Sequence, residues 1–249
     1  MGELDQKTAL VTGAAGDIGL AISTALVDAG AIVVALDRLP EAQGAEQMRA
    51  LAGDRLRYAS VDVTDRAGVD AAIDAAPGLD IVIGNAGIVE PAPFIDVTPE
   101  SWQRQLDINL TGNFHLAQAA VRRFRRDGTT GNIVLTGSWV GERPWPEIAP
   151  YAATKAALQM LMRSIALEHA ADGIRCNVVA PGIVDAGLAR AQARRDPVYA
   201  ERAAKAVPLG SLQTPEEIAA VVRFLVGPAA SAVTGATYLA DGGSTLGSF

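Results

Sequence analysis

Short apolar runs rich in β-branched residues alternate along this chain with longer alanine-rich stretches at helical spacing. The runs typical of strands lie at 8–11, 32–36, 56–61, 81–83, 132–135, 174–179 and 237–239. The stretches with helical spacing include 18–28, 99–126, 151–171 and 215–226. Strands that alternate with helices form βαβ units, and continuous apolar strands are typical of a sheet covered on both faces. The pattern predicts an α/β fold with a doubly wound parallel sheet of about seven strands, flanked by helices on both faces.

The length fits one large domain over residues 1–249, because the 249 residues are 49% hydrophobic and 20% charged, as in globular chains. One long segment, 185–212, departs from the alternation and combines Ala/Arg-rich helical sequence with a break at Asp196 and Pro197. Inserts of that size in a compact domain are often lids. We expect a substrate-binding lid there, with a plain surface excursion as the alternative.

The charge balance excludes several classes of protein. The chain has 21 Lys and Arg against 28 Asp and Glu, a net charge of −7, which disfavours nucleic-acid binding. Apolar runs stop short of the roughly 18 to 20 residues that a membrane span needs, and the first five residues are acidic where a secretory signal is basic. Cys176 is the single cysteine, and His115 and His169 lack metal-ligand spacing. We expect a cytoplasmic protein with a small-molecule partner, no membrane or nucleic-acid partner and no metal.

A glycine-rich turn follows the first strand and leads into a helix, with Gly13, Gly16 and Gly19 in the turn. Such glycines let the backbone approach a pyrophosphate, and the helix N-terminus supplies free N–H groups and partial positive charge. Asp37 ends the second strand, where a carboxylate accepts from both ribose hydroxyls of an adenosine and repels a 2′-phosphate. The turn therefore predicts dinucleotide binding in a Rossmann-like fold, and Asp37 favours NAD. The adjacent Arg38 would suit a 2′-phosphate, although a solvated charge is the better interpretation.

Tyr151 and Lys155 are at i and i+4, so they project from one face of a helix. A tyrosine has a pKa near 10, too high for a general base at neutral pH, and we expect the neighbouring ammonium to lower it. A Tyr-x-x-x-Lys pair alone is most often a surface pair. Ser138 closes the strand 132–135, and the helical stretch that contains these two residues follows it in the chain.

A series of short motifs runs along nearly the whole chain, from Thr12 to Gly243. They are the 12–19 turn, Asp37, Asp62-Val63, the 84–87 segment Gly-Asn-Ala-Gly, Asn109, Ser138, Tyr151 with Lys155, Pro181-Gly182, the 208–210 segment Pro-Leu-Gly, the 214–217 segment Thr-Pro-Glu-Glu, and the 241–243 segment Asp-Gly-Gly. In this combination the chain resembles the short-chain dehydrogenase/reductase family, in its single-domain branch of about 250 residues.

The resemblance implies a role for each catalytic residue. Tyr151 is the general acid/base that exchanges a proton with the substrate oxygen while hydride moves to or from a nicotinamide. Ser138 hydrogen-bonds that oxygen, and Lys155 lowers the pKa of Tyr151 and binds the nicotinamide ribose. Asn109 anchors a water in a proton path.

The resemblance also implies the NAD-binding residues and the assembly. The residues expected to bind NAD are Gly13, Asp17, Ile18, Gly19, Asp37, Asp62, Val63, Asn85, Ala86, Gly87, Tyr151, Lys155, Pro181, Gly182 and Ile183. The family also implies a homotetramer, built mainly from the helices at 99–126 and 151–171 and the C-terminal segment.

The chain departs from the family pattern at three positions, the first of which is Gly84, where the family has the first asparagine of Asn-Asn-Ala-Gly. Asp17 stands where the family has the middle glycine of the turn, and a carboxylate fits there if its side chain points away from the pyrophosphate. Ala186 stands where the family usually has a threonine that fixes the carboxamide, which would loosen the lid.

The substrate pocket is expected to include Ser138, Val140, Trp145 and Tyr151, with Trp139 beside the serine. The two tryptophans would stack on a sugar or pack against an apolar ring, and ordinary packing is the alternative. We expect an NAD-dependent oxidoreductase that interconverts a secondary alcohol and its ketone, with a small polyol or sugar favoured. The alternatives are a 3-oxoacyl or cyclic-ketone reductase and, outside the enzymes, an NAD-binding regulatory protein.

Overall fold

The computed structural model describes residues 2–49 and 53–247, and its strands form one seven-stranded sheet in the order β3-β2-β1-β4-β5-β6-β7. The strands are β1 (Thr8–Thr12), β2 (Ile32–Asp37), β3 (Leu56–Ser60), β4 (Leu79–Gly84), β5 (Asn132–Thr136), β6 (Arg175–Pro181) and β7 (Thr237–Ala240). Every neighbouring pair is parallel, for example β1 and β2 with Leu10 beside Val34. The predicted parallel sheet is confirmed.

Helices cover both faces of the sheet. They are α1 (Asp17–Asp28), α2 (Glu41–Gln47), α3 (Arg66–Ala75), α4 (Pro99–Leu106), α5 (Gly112–Asp127), α6 (Ala149–His169), α7 (Gly187–Arg195), α8 (Pro197–Lys205) and α9 (Pro215–Val226). One core contains side chains of α1 and α9, such as Ile22 and Ile218, and the other contains side chains of α3, α5 and α6, such as Leu116 and Leu158. Burial on both faces explains why the strands are continuous apolar runs.

The strand order reverses direction at β1, which lies between β2 and β4. In open parallel sheets such a reversal opens a crevice at the carboxyl ends of the strands. The loops after β1 and β4 meet there, because Thr12 Oγ1 accepts hydrogen bonds from the backbone N–H groups of Asn85 (3.1 Å) and Ala86 (3.2 Å). The crevice is therefore bounded by two strand ends held together by side-chain bonds.

The segment 185–212 contains α7 and α8, and the break between them falls at Asp196 as the sequence predicts. The Asp196 carboxylate caps α8 by accepting from the N–H groups of Val198 (2.9 Å) and Tyr199 (3.1 Å). The inner face of α8 buries Tyr199 in a small apolar cluster with Trp139, which follows β5. The segment thus packs over the carboxyl edge of the sheet.

The stretch 99–126, predicted as one helical stretch, is not a continuous α-helix. A π-helical turn at Asp107–Thr111 separates α4 from α5. Turns of this kind insert an extra residue per turn and are frequent at functional sites. Asn109 lies in it and is fully buried. Among the described residues, no helix is long and apolar enough to cross a membrane.

Candidate active site

A cavity of about 680 Å³ lies between the carboxyl ends of the strands and the segment of α7 and α8. The structure brings most of the residues predicted for the site to its walls. These are Gly13, Asp17, Ile18, Gly19, Asp37, Asn85, Ala86, Gly87, Ser138, Val140, Trp145, Tyr151, Lys155, Pro181, Gly182 and Ile183. Asp62, Val63 and Asn109 are predicted site residues that do not line it.

The turn between β1 and α1 is shaped for close approach of a ligand to the backbone. Gly13 has φ +62°, and a Cβ on it would come within 2.8 Å of the Ala86 Cα. A Cβ on Gly19 would overlap the Gly13 carbonyl. The N-cap of α1, Gly16, has no side-chain capping bond, so its first-turn N–H groups have no side-chain acceptor. An uncapped helix end at the bottom of a cavity suits an anion, and the turn therefore fits a dinucleotide pyrophosphate.

The Asp17 side chain is directed toward α7. Its Oδ2 accepts a hydrogen bond from the Gly187 N–H at 2.9 Å and lies 3.4 Å from the Arg190 guanidinium. Ala186, the N-cap residue of α7, makes no side-chain capping bond. Asp17 thus supplies the cap that Ala186 lacks, and these two departures from the family pattern are linked. The sequence shows both departures, but it does not show that the two positions lie close together in the fold.

Asp37 lies at the carboxyl end of β2 and lines the cavity. Its carboxylate accepts from the backbone N–H groups of Ala15 and Leu39, each at 3.2 Å, which fixes its orientation at the turn. The neighbouring Arg38 is exposed and is not among the lining residues. The charge next to the turn is therefore negative.

Ser138, Tyr151 and Lys155 converge on the same part of the cavity. Ser138 follows β5 in extended backbone and is 6% exposed. Lys155 is 3% exposed, and its Nζ donates to the Thr136 carbonyl at 2.7 Å and lies 5.3 Å from the Tyr151 ring centroid. The end of β5 and one face of α6 therefore place a hydroxyl, a phenol and an amine together.

Burial changes the acid–base properties of this cluster. It lowers the pKa of Lys155 to about 8, because an ammonium loses its hydration there. Burial also raises the pKa of Tyr151, and a hydrogen bond with the Ser138 side chain offsets part of that rise. Burial of the phenolate is the largest effect on the Tyr151 pKa, and the lowering expected from Lys155 stays a prediction. Tyr151 therefore holds its proton at neutral pH.

Asn109 lies behind this cluster. Its Nδ2 donates to the Ile88 carbonyl at 2.9 Å, and its Oδ1 accepts from the Ile88 N–H at 2.8 Å. A Cβ built on Gly87 would lie 3.2 Å from Asn109 Oδ1 and 3.6 Å from Lys155 Nζ, so only this backbone separates them. The π-helical turn thus uses Asn109 to hold the loop after β4 beside Lys155, and its part in a proton path stays a prediction.

Asp62 and Val63 follow β3 outside the cavity walls. The Asp62 carboxylate accepts from both the N–H (2.9 Å) and the hydroxyl (2.7 Å) of Thr64, and Val63 is buried beneath Gly112. Their role at an adenine stays a prediction.

The far end of the cavity is mostly apolar. Trp139 and Trp145 pack edge to face with centroids 5.3 Å apart, and Trp139 is 4% exposed, so it serves as packing beneath Trp145. The sequence indicated the segments 88–94 and 189–212 for this end of the pocket but not the individual residues, and it did not indicate Glu147 or Ile148. Further lining residues come from these segments and from the loop before α6. They are Val89, Pro91, Glu147, Ile148, Ala189, Gln192, Arg195, Tyr199 and Arg202.

The polar loop residues Glu90, Glu142 and Arg143 do not line the cavity. Glu90 is paired with Arg104 at 2.6 Å, and Arg143 donates to the Ser244 carbonyl at 2.8 Å. Over the described residues, no group of three His, Cys, Asp or Glu side chains is placed to hold a metal.

Comparisons with known proteins agree with this geometry. A family model described as enoyl-(acyl carrier protein) reductase matches residues 13–245. The cis-4-hydroxycyclohexanecarboxylate dehydrogenase of Sinomonas cyclohexanicum is 41% identical over 254 residues, covering 98% of this chain and 99% of that protein. The 3beta-hydroxysteroid dehydrogenase 1 of Eggerthella lenta is 37% identical over 250 residues, covering 98% and 95%. The structure of a gluconate 5-dehydrogenase from Burkholderia cenocepacia with NADP and tartrate superposes with a TM-score of 0.92 at 36% identity, covering 98% and 97%.

A doubly wound sheet with a glycine turn, and a buried Ser–Tyr–Lys cluster beside it, define an oxidoreductase that acts on alcohols and ketones with a nicotinamide cofactor. The chain belongs to the short-chain dehydrogenase/reductase family.

Proposed function

We propose that this protein is an NAD-preferring dehydrogenase of a cyclic secondary alcohol, which also reduces the corresponding ketone. The observation that carries the proposal is the cavity in which Ser138, Tyr151 and Lys155 face apolar and aromatic walls. The sequence favoured a polyol or sugar and kept a cyclic ketone as an alternative. The lining of the cavity supports the alternative.

Each catalytic residue has a defined task in this mechanism. A nicotinamide, when bound, exchanges hydride with the carbinol carbon of the substrate. Tyr151 donates its proton to the ketone oxygen in reduction and accepts it back in oxidation. Ser138 donates a hydrogen bond to the same oxygen and stabilises the charge that develops there. Lys155 holds its amine against the Thr136 carbonyl beside Tyr151, where it would reach a ribose hydroxyl and favour the phenolate.

The preference for NAD is supported by Asp37. Its carboxylate faces the cavity next to the glycine turn, where it would bond ribose hydroxyls and repel a 2′-phosphate. The neighbouring Arg38 is exposed and does not line the cavity, so Asp37 is the charged residue of this strand end that the cavity meets. The structure of the Burkholderia cenocepacia relative contains NADP. Asp37 is therefore the residue to test for a preference for NAD in this chain.

A cyclic substrate is supported by the residues that surround Tyr151. Trp145, Ile148 and Tyr199 pack in one apolar cluster with it. A polyol needs hydrogen-bonding groups along its whole length, whereas Glu90, Glu142 and Arg143 lie outside the cavity. Polar side chains in the walls of its far end, Glu147, Gln192, Arg195 and Arg202, come from α7, α8 and the loop before α6. Two relatives are named for cyclic alcohols, a hydroxysteroid and a hydroxycyclohexanecarboxylate. The complete catalytic cluster disfavours a regulatory protein that binds NAD without turnover.

Residues 1–249 form one catalytic unit in this proposal, and 185–212 act as its lid. The bond between Asp17 and Gly187 supports a lid that rests on the cofactor turn. We further propose a homotetramer, supported by exposed apolar side chains on the helices that the family uses for assembly. These are Trp102, Phe114, Met160 and Leu167. A cytoplasmic location stays a prediction.

A substrate panel tests the proposed function. Purified protein is supplied with NAD or NADP and with cyclohexanols, polyols, sugars and 3-hydroxyacyl thioesters, and formation of the reduced cofactor is followed by absorbance. We expect NAD-dependent oxidation of cyclohexanols with at least about tenfold higher kcat/KM than for polyols. Faster oxidation of polyols would contradict the proposal on the substrate, and a preference for NADP would contradict it on the cofactor.

A further inference from the structure

The lid contributes a cation to the apolar end of the cavity. Arg202, on α8, lines the cavity and is partly buried. Its guanidinium carbon lies 4.8 Å from the Trp145 ring centroid and 5.9 Å from the Tyr199 ring centroid. The guanidinium therefore lies over two aromatic rings of the pocket.

Arg202 has no anionic partner within the described residues. No carboxylate oxygen there lies within 4.0 Å of it, whereas other arginines such as Arg104 and Arg223 are paired. Its Nε is buried and makes no hydrogen bond to any described residue. A buried donor left unsatisfied is costly, so the hydrogen bonding of this guanidinium is incomplete within the described residues, and an acceptor on a bound ligand would complete it.

The geometry of a guanidinium limits which chemical group of a ligand can accept its hydrogen bonds. Stacking occupies the faces of a guanidinium and leaves its in-plane N–H donors available. Those donors match the two oxygens of a carboxylate in a bidentate pair, which a neutral hydroxyl cannot form. Arg195, a second lining cation, is exposed at the end of α7. The acidic lining residue at this end, Glu147, is exposed and forms no salt bridge with either arginine within the described residues.

The position of Arg202 relative to the catalytic tyrosine sets the shape of the substrate. Tyr199 and Trp145, which contact the guanidinium, belong to the same apolar cluster as Tyr151. A molecule that places its oxygen at Tyr151 and its anion at Arg202 therefore has an apolar middle.

We propose that Arg202 binds a carboxylate of the substrate, and that the substrate is an alicyclic hydroxy acid oxidised to the corresponding oxo acid. This inference rests on the proposed function and adds the charged group that selects among cyclic alcohols. The oxidation itself is the same hydride transfer, with NAD reduced and one proton released to Tyr151. The carboxylate is bound unchanged.

A binding measurement tests recognition of the carboxylate separately from the oxidation of the alcohol. Isothermal titration calorimetry with NAD present compares cyclohexanecarboxylate with cyclohexanecarboxamide, a pair that differs in charge and carries no oxidisable hydroxyl. We expect the wild type to bind the carboxylate at least about tenfold more tightly. In Arg202→Met the two affinities should come within about twofold, and Arg202→Lys should retain part of the preference because it keeps the charge without the fork. Arg57→Met, on the exposed surface of β3, is the matched control and should behave as the wild type.

Turnover is then measured with 3- and 4-hydroxycyclohexanecarboxylate and the matching carboxamides. We expect Arg202→Met to lower kcat/KM for the carboxylates at least about tenfold and to leave the carboxamides within about threefold. Equal binding of anion and amide by the wild type, or a preference that persists in Arg202→Met, would overturn the inference, and turnover of the neutral alcohols would still support the proposed function. A binding preference without oxidation of any alcohol would contradict the proposed function and leave the anion site in place.

Discussion

Among single residues, burial shifts the pKa values of the two titratable groups proposed for catalysis in opposite directions. The pKa of Tyr151 is raised and that of Lys155 is lowered to about 8. The identity of both residues could be predicted from their i, i+4 spacing and their family motif. The sign of the Tyr151 shift could not be predicted, because the sequence does not show how strongly the phenol and the amine are desolvated in the fold. Both shifts favour the uncharged forms.

These shifts predict how the rates depend on pH. A raised Tyr151 pKa keeps the phenol protonated at neutral pH, so ketone reduction has its acid available, whereas alcohol oxidation needs the phenolate and gains as pH rises. Loss of the Lys155 ammonium above about pH 8 makes the phenolate harder to form and reduces that gain. Between pH 7 and 9 the oxidation rate at saturating NAD should rise about three- to tenfold per pH unit, without a parallel rise in ketone reduction. Initial rates in both directions measure this, and an oxidation rate independent of pH would refute it.

The cofactor preference depends on one charge. Asp37→Asn keeps the size of the side chain and removes the repulsion of a 2′-phosphate, so kcat/KM for NADP should rise relative to NAD by at least about tenfold. Steady-state kinetics with each cofactor measure the ratio. Asp28→Asn, at the exposed end of α1, is the control. An unchanged ratio in Asp37→Asn would assign the selectivity to other residues.

At the scale of elements, local patterns predicted most of the layout. The alternation of apolar runs gave all seven strands within a few residues, and Asp196 with Pro197 marked the break between α7 and α8. The π-helical turn around Asn109 was not predicted, because residues 107–111 contain no proline or glycine that would mark a break in the helix. The cap that Asp17 provides for α7 was hidden for another reason. The two residues it joins, Asp17 and Gly187, are 170 positions apart.

The hydrogen bond that Asp17 accepts from Gly187 is expected to hold the N-terminal end of α7 in place. Asp17→Ala removes a charge-assisted hydrogen bond to the Gly187 N–H and an ion pair with Arg190 that is more than one-third exposed, together worth about 0.5–1 kcal/mol after screening. Transient opening of α7 should increase about two- to fivefold. Limited trypsin digestion measures it, because α7 contains Arg190, Arg194 and Arg195 as cleavage sites. Cleavage in Asp28→Ala sets the baseline, and an equal rate in Asp17→Ala would show that the cap does not hold the helix.

In the whole molecule, the candidate active site lies at the carboxyl edge of one sheet, and helices that cover the sheet expose apolar side chains. Met160 is 58% exposed and Leu167 is 83% exposed on α6, and Trp102 on α4 is 41% exposed. Apolar side chains on neighbouring helices are typical of surfaces that bury one another in an oligomer. This pattern agrees with the tetramer that the family implies, although the sequence alone did not show which side chains point outward.

The tetramer is checked by mass in solution. Light scattering should give about four times the 25.8 kDa of the chain. Leu167→Glu places a charge on the exposed apolar surface of α6 and should shift the protein toward smaller species. Glu168→Lys, an exposed charge exchange at the next position, is the control. A wild-type protein with the mass of one chain would contradict the proposed assembly.

We propose that Tyr151 exchanges a proton with an alcohol or ketone while hydride moves to or from the cofactor. The most direct measurement compares the wild type with Tyr151→Phe in NAD-dependent oxidation of a cyclohexanol, with cofactor affinity measured by calorimetry on the same samples. Tyr238→Phe, on β7 outside the cavity, is the control for loss of a tyrosine hydroxyl. We predict a loss of kcat of at least about 100-fold in Tyr151→Phe with NAD affinity within about threefold of the wild type, and no loss in Tyr238→Phe. Full turnover by Tyr151→Phe with bound NAD would contradict the proposed role of Tyr151 in proton exchange.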